Sequence, residues 1–455
     1  MQRIGRWLVL WQWGFLLLIL PLVMYPSGFR GLILLAVPIF WILRKFTLGK
    51  FLAASPYDLA IIILLVMTGI SIFISFDLSL SLPKILGLLL GITLFYAVLD
   101  FSRYLSVWPI VGVYLAGGGL LALVGLMGTV WPPPFEFLNG IRGWLPDRSA
   151  DIPGAVGGVI NQNELAGALA WIAPLALACL LGLGKKLWGR KRSLFFLILV
   201  VCLLTIPVLF ATVSRGGILA FCGGAVIVVA FFSPLRWRVV LGIGIIIVGF
   251  MLVAFGMNPL NQDIVGDVLG LTGRMEIWSR AILAIDDFPL TGMGFNSFRR
   301  VIQVLYPLFA IPEDIDLAHA HNHLLQVALD VGLPGLIAYL SIWIISAGLL
   351  WEAGRKLVRH GRTDHSSYTL IAGLAGSLVS GWLFGIFDAI ALGSRPSFLW
   401  WMLIGLTASV NYAVVYSTSQ QKVESSEQAT EPIIDIRPVP PPIIPTATSR
   451  YSKRV

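Results

Sequence analysis

The chain has 455 residues, 57% of them hydrophobic and only 12% charged, with a formal net charge of +9 and a mean hydropathy of +0.87. Soluble domains carry roughly 25% charged residues, so a soluble globular fold is excluded. The positive charge is not interleaved with aromatics and no soluble domain could hold a duplex, so it reads as membrane topology and not as a nucleic-acid footprint.

The N-terminus begins with Arg3 and Arg6, followed by an apolar run to Met24. It resembles a signal peptide but lacks a convincing small-residue cleavage site, and is read as the first span. A bilayer core of about 30 Å needs about 20 apolar residues in helical form. About twelve runs fit: near 7–24, 31–43, 57–76, 84–100, 105–131, 164–183, 194–213, 216–233, 239–257, 329–351, 368–387 and 396–416. The fold class is an all-α polytopic membrane protein, a bundle over 1–416 with a large extracytoplasmic loop at 258–328 between the ninth and tenth spans.

Lys and Arg set the orientation. Arg44-Lys45 to Lys50, Lys185-Lys186 to Arg192, Arg236 to Arg238 and Arg355 to Arg362 all fall on one side with Arg3 and Arg6. That side is cytoplasmic, and both termini are expected there. Cys179, Cys202 and Cys222 lie in apolar runs and read as small buried hydrophobes, not a disulfide or metal framework. The tail at 417–455 turns polar and then Pro-rich, and is expected to be disordered.

Four places on the outer face carry candidate chemistry. Asn161-Gln162-Asn163-Glu164 opens the sixth span; amides there serve as helix caps or interhelical hydrogen bonds, or bond a sugar. Arg215, in Ser214-Arg215-Gly216-Gly217, sits where the positive-inside rule does not favour a cation. A snorkelling boundary arginine is the competing reading. Thr272 is a plausible cap for a helix to about Ile285. Met275, Trp278, Ile282 and Ile285 recur at the spacing of a helix lying on the membrane. Arg274 and Arg280 project elsewhere from it, toward a ligand, toward solvent or to Glu276.

The fourth place is His319-Ala320-His321-Asn322-His323, which holds three of the chain's five histidines. His319 and His323 are four apart; if a helix already runs there they share a face, a metal-compatible spacing that lacks a clear third ligand. A base or donor role for one histidine is the alternative, since imidazole titrates near working pH. Surface histidines at a helix start are the plain reading. Asp388, Ser394 and Arg395 in the last outer turn read as an interface pair.

These pieces, in this order, resemble the O-antigen ligase family of membrane glycosyltransferases, which also holds polysaccharide polymerases and protein O-oligosaccharyltransferases. Gly158 to Ala166 resembles its Asn-x-Asn segment, and Ser214-Arg215-Gly216-Gly217 its Ser-Arg-Gly turn. Gly273-Arg274 to Trp278, followed by Pro289 to Asn296, resembles the start of its large outer loop. His321-Asn322, nine residues, then Gly332-Leu333-Pro334-Gly335 matches its His-containing pattern. The resemblance spans roughly residues 150–415.

It implies a GT-C-type bundle in the cytoplasmic (inner) membrane with its active site facing the periplasm or exterior. It implies a glycan donor on undecaprenyl pyrophosphate, a glycan, lipid or protein acceptor, inversion, no cofactor and no required metal. Arg215 and Arg274 take the positions of the arginines that hold pyrophosphate, and His321 that of the proposed general base. Asn161, Asn163 and Asn322 fall among its substrate-binding positions. His319 and His323 have no fixed place in the pattern. Within the class a ligase, a polymerase or a protein O-oligosaccharyltransferase are all open. The rival from another class, a lipid-linked glycan transporter or flippase, predicts charges within spans or broken helices in paired halves.

Overall fold

The computed structural model describes residues 2–24, 30–142, 155–156, 159–234, 236, 240, 271–309, 311–312, 317–363, 366–389, 392–394 and 396–430. Among the described residues the regular structure is helical apart from a two-residue antiparallel ladder that pairs Ala155 with Ile160 and Val156 with Val159. Eight helices among the described residues are long and apolar enough to cross a membrane.

The N-terminal third runs through α1 (Gln2–Leu10), α2 (Gln12–Met24), α3 (Arg30–Leu48), α4 (Asp58–Ile74), α5 (Leu78–Tyr104) and α6 (Trp108–Gly128). The expected first span is divided at Trp11, and α4 is a shorter apolar helix of 17 residues. A short α7 (Asn139–Arg142) precedes three membrane-length helices, α8 (Gln162–Arg190), α9 (Arg192–Ala211) and α10 (Arg215–Phe232). The expected ninth span at 239–257 lies, apart from Val240, outside the described residues. Next come α11 (Leu271–Asp287) and α12 (Phe298–Leu305). The bundle closes with α13 (His323–Arg359), α14 (Ser366–Phe387) and α15 (Ser397–Thr430). Residues 1–415 form one compact unit and 416–455 a second; of the latter, the described part is the end of α15.

Close backbone approach packs the centre. A Cβ on Gly376 of α14 would lie 2.8 Å from the Gly224 carbonyl of α10. Small residues let membrane helices come this near and gain dispersion contacts that side-chain bulk would prevent. Trp343, Trp382 and Trp400 fill the space beside this seam, with ring centroids of Trp343 5.2 Å from Trp382 and 5.8 Å from Trp400.

Two readings from composition are corrected. Arg44 is not a loop cation: it is buried, and its Nε and Nη2 reach the two carboxylate oxygens of buried Asp100 at 2.5 and 2.8 Å. A planar guanidinium fork satisfies both oxygens, which is what lets these charges leave water. Cys222 is exposed, unlike Cys179 and Cys202; on α10 its apolar thiol can face lipid at no cost.

The helix that follows the histidines starts earlier than hydropathy suggests. The expected span begins near 329, but α13 begins at His323 and is broken by Gly332, whose φ is +70°. The Leu290 carbonyl presses against the place where a Cβ would stand. The Leu333 N–H donates to Pro289 O at 2.8 Å, and the Met293 N–H to Leu329 O at 2.7 Å. Gly332 therefore makes the socket into which the Pro289–Gly294 loop docks. No residue with a Cβ meets both the conformation and the contact.

Candidate functional site

The C-terminal end of α14 gathers several of the expected site residues. The last carbonyls of a helix have no partner within it and carry partial negative charge. Here Arg274 Nη1 donates to Phe387 O at 2.9 Å, and Asn322 Nδ2 to Ile386 O at 3.1 Å. The next residue, Asp388, receives both other histidines of interest. Its Oδ1 lies 3.5 Å from His319 Nε2 and 3.5 Å from His321 Nδ1. The first turn of α10 is close as well, since a Cβ on Gly216 would stand 3.5 Å from Phe387 Cβ. Segments more than a hundred residues apart in sequence thus meet at one helix end.

The histidine loop is held by its own backbone. The Ala320 N–H donates to Gln326 Oε1 at 2.8 Å, and the Ala320 carbonyl accepts from Trp278 Nε1 at 3.0 Å. Gln326 Nε2 donates to Asp330 Oδ1 at 2.9 Å, which also accepts from the Asn296 N–H at 2.8 Å. Gln326 and Asp330 are fully buried, so this network is dry and fixes the loop against both α11 and the 289–296 segment. His321 takes a φ of +49°, a left-handed conformation uncommon outside glycine that costs on the order of 1–3 kcal/mol. That turn folds His321 back on His319, with ring centroids 4.3 Å apart.

The structure corrects the expected histidine pairing. The helix begins at His323, so His319 and His323 do not share a helical face. His323 is buried, with Nδ1 2.9 Å from the Tyr339 hydroxyl and its ring 4.8 Å from that of Trp382. It anchors the start of α13. The residue that joins His319 and His321 is Asp388, which the sequence reading had set aside as an interface pair.

Electrostatics separate these groups. Burial works to raise the Asp388 carboxyl, but His321, His319 and the Ala389 N–H at 2.8 Å overcome it and hold it down to about 2. Burial lowers His319 to about 4; Asp388 pulls the other way, while the charges of Arg274 and Lys84 add to the lowering. The arrangement keeps an ionised carboxylate beside a neutral imidazole. Lys84, on α5, was passed over in the sequence because it begins an apolar run; its charge reaches this cluster.

Arg215 opens α10, whose Ser214 cap accepts from the Gly217 N–H at 3.3 Å. Its side chain is exposed, and no hydrogen bond or ion pair engages it among the described residues. Arg274 differs from its neighbour. Arg280 donates to Pro307 O at 3.0 Å and lies over the Phe309 ring, a packing role. Glu276 accepts from the Phe309 N–H at 2.6 Å. α11 begins at Leu271, one residue before the cap that Thr272 was expected to form. It buries Ile277, Ala281 and Ala284 while Met275 and Ile282 stay exposed.

The asparagines are occupied. Asn161 caps α8, accepting from the Asn163 and Glu164 N–H groups at 2.8 and 3.3 Å. Asn322 caps α13, accepting from Leu324 and Leu325 N–H at 2.9 and 3.1 Å, and its amide is spent on Ile386. Only the Asn163 side chain, exposed at the mouth of α8, is without such a task among the described residues. An apolar cavity of about 940 Å³ opens between α10, α13 and α14, lined by Trp343, Leu378 and Trp382 among others.

A multi-pass helical membrane protein with cationic, imidazole and carboxylate groups gathered at one helix end is the class these observations define. The family model described as O-antigen ligase matches residues 200–340, a stretch that holds Arg215, Arg274, the histidine loop and the Gly332 kink. An O-antigen ligase of Pseudomonas aeruginosa is 25% identical over 351 residues, covering 73% of this chain and 80% of that protein. Over these stretches the chain is similar to the O-antigen ligase family.

Proposed function

We propose that the protein transfers a glycan from undecaprenyl pyrophosphate to an acceptor hydroxyl on the outer side of the cytoplasmic membrane, with inversion and without a required metal. The observation that carries this is the convergence of Arg274, Asn322 and His321 on residues 386–388 at the end of α14.

The chemistry follows from the groups present. The acceptor oxygen forms a bond to the anomeric carbon as the bond from that carbon to the phosphate oxygen breaks. Attack comes from the side opposite the leaving group, which inverts the centre. Undecaprenyl pyrophosphate departs with the bonding electron pair. Arg215 and Arg274 meet its growing negative charge with planar, permanently charged forks that bind two oxygens each. The N-terminus of α10 adds its partial charge. These cations supply the charge stabilisation that a divalent ion gives other glycosyltransferases.

The acceptor's proton goes to His321. With Asp388 ionised beside Nδ1, the favoured neutral tautomer carries its proton on Nδ1 and presents the Nε2 lone pair as base. Asp388 also stabilises the imidazolium that forms. Asn322 acts as a positioning residue, since its side chain ties the start of α13 to the end of α14. The cavity between α10, α13 and α14, which runs from Trp382 toward Ala230 and Arg359 at the helix ends away from residues 386–388, has room for part of the isoprenoid chain.

The test is glycan transfer by purified protein from a synthetic undecaprenyl-pyrophosphate oligosaccharide with EDTA present. Transfer persists in EDTA on this reading; its loss there overturns metal independence, and its absence under all conditions overturns the donor assignment.

A further inference from the structure

The geometry points to a transition-metal site formed by His319 Nε2, His321 Nδ1 and an Asp388 carboxylate oxygen, occupied by zinc as an inhibitor and not as a cofactor. The inhibitory half of this inference rests on the base role proposed for His321; the binding half does not.

The three ligand atoms lie within 4.8 Å of one another, and both imidazole nitrogens are 3.5 Å from the same Asp388 oxygen. Zinc bonds of 2.0–2.1 Å in tetrahedral array place ligand atoms about 3.4 Å apart. Two edges of such a site are present at 3.5 Å, and the third, between the two ring nitrogens, is within 4.8 Å, which leaves a fourth position for water. As a direct hydrogen bond, by contrast, 3.5 Å is long. His321 Nδ1 is buried and no hydrogen bond of ordinary geometry reaches it. A buried ring nitrogen in that state, aimed at a carboxylate beside a second imidazole, fits a cation between them better than it fits a closed network.

His321 falls in the pattern that resembles the family's, and the His-Ala-His spacing with the left-handed turn at His321 brings in His319 as the second nitrogen donor. Two imidazoles and one carboxylate suit zinc and disfavour magnesium or calcium, which take oxygen ligands. Arg274 and Lys84 oppose a divalent ion here, so the site is expected to be reversible and not a structural zinc. His319 Nδ1 accepts a 3.3 Å bond from the His321 N–H. Binding through Nε2 moves the His319 proton to Nδ1 and breaks that long bond.

Occupancy would switch the tautomer of His321. A metal on Nδ1 leaves the ring's single proton on Nε2. Nε2 then has no lone pair to take the acceptor's proton, and transfer stops. Zinc inhibition and persistence of activity in EDTA are therefore two consequences of one arrangement.

The experiment uses the full chain in nanodiscs and zinc chloride alone. Equilibrium dialysis is expected to give one zinc per chain, with affinity reduced at least tenfold in His319→Asn and in His321→Asn. No bound zinc, or binding unaltered by His319→Asn, overturns the site. In the transfer assay, each protein is scored against its own zinc-free rate. Zinc should inhibit the unaltered protein, EDTA should reverse it, and His319→Asn should raise the half-inhibiting zinc concentration at least tenfold. Zinc bound at the triad without inhibition overturns the tautomer switch and counts against His321 as base while the site stands. If no transfer is found at all, the function has failed and dialysis still decides the site.

Discussion

Acidification should destabilise this protein through His319 in a way that can be measured. An unfolded histidine titrates near 6.5, and burial holds His319 down to about 4 in the folded state. Between those values the unfolded chain binds a proton that the folded chain does not, so stability rises with pH across this window and falls as pH drops through it. Each unit is worth 1.36 kcal/mol. From pH 6.5 to 4.5 the loss due to this one group is about 2–3 kcal/mol. Asp388, held down to about 2, stays ionised throughout, so it does not contribute there. The assay is thermal unfolding in detergent at pH 6.5 and 4.5 for the unaltered protein and for His319→Asn. The unaltered protein should lose several degrees more on acidification than the variant does. Equal losses in the two proteins refute the reasoning, because they would mean that His319 is no harder to protonate when folded.

Other substitutions test other links. Asp388→Asn removes the charge that sets the His321 tautomer and should lower kcat about 10²-fold or more with little change in KM, read by steady-state transfer. Arg274→Ala should cripple transfer, while Arg280→Ala should leave it and cost about 1 kcal/mol in stability, since only the latter serves packing. Gly332→Ala forces a Cβ against Leu290 at a φ of +70°. It should cost at least about 1–2 kcal/mol from backbone conformation alone, visible as a lower unfolding temperature.

Much of the bundle could be read from hydropathy, because a lipid environment demands long apolar helices and leaves few alternatives. The outer-face motifs were legible too, since a greasy chain concentrates its polar groups where they are used. What could not be read was convergence. Asp388 is an isolated acid at the end of a span, 67 residues beyond His321 in the numbering. Nothing local distinguishes it from an interface charge until α14 and the histidine loop are folded together. Lys84 was hidden for the opposite reason, since it sits at the edge of an apolar run and is counted into it. The His319–His323 spacing counts only if a helix runs through both, and the helix begins at His323. The Gly-x-x-Gly segment was recognisable as a pattern, but its task, a socket for the Pro289–Gly294 loop, depends on a contact from 40 residues away.

The account's central claim is that His321 is the base at a site whose cations hold the donor. The most direct measurement is the single-turnover rate of glycan transfer at saturating undecaprenyl-pyrophosphate donor for His321→Ala, with donor affinity measured in parallel. The account predicts a rate lowered by about 10²–10⁴-fold with donor affinity essentially unchanged. A near-normal rate in a folded His321→Ala protein would contradict it.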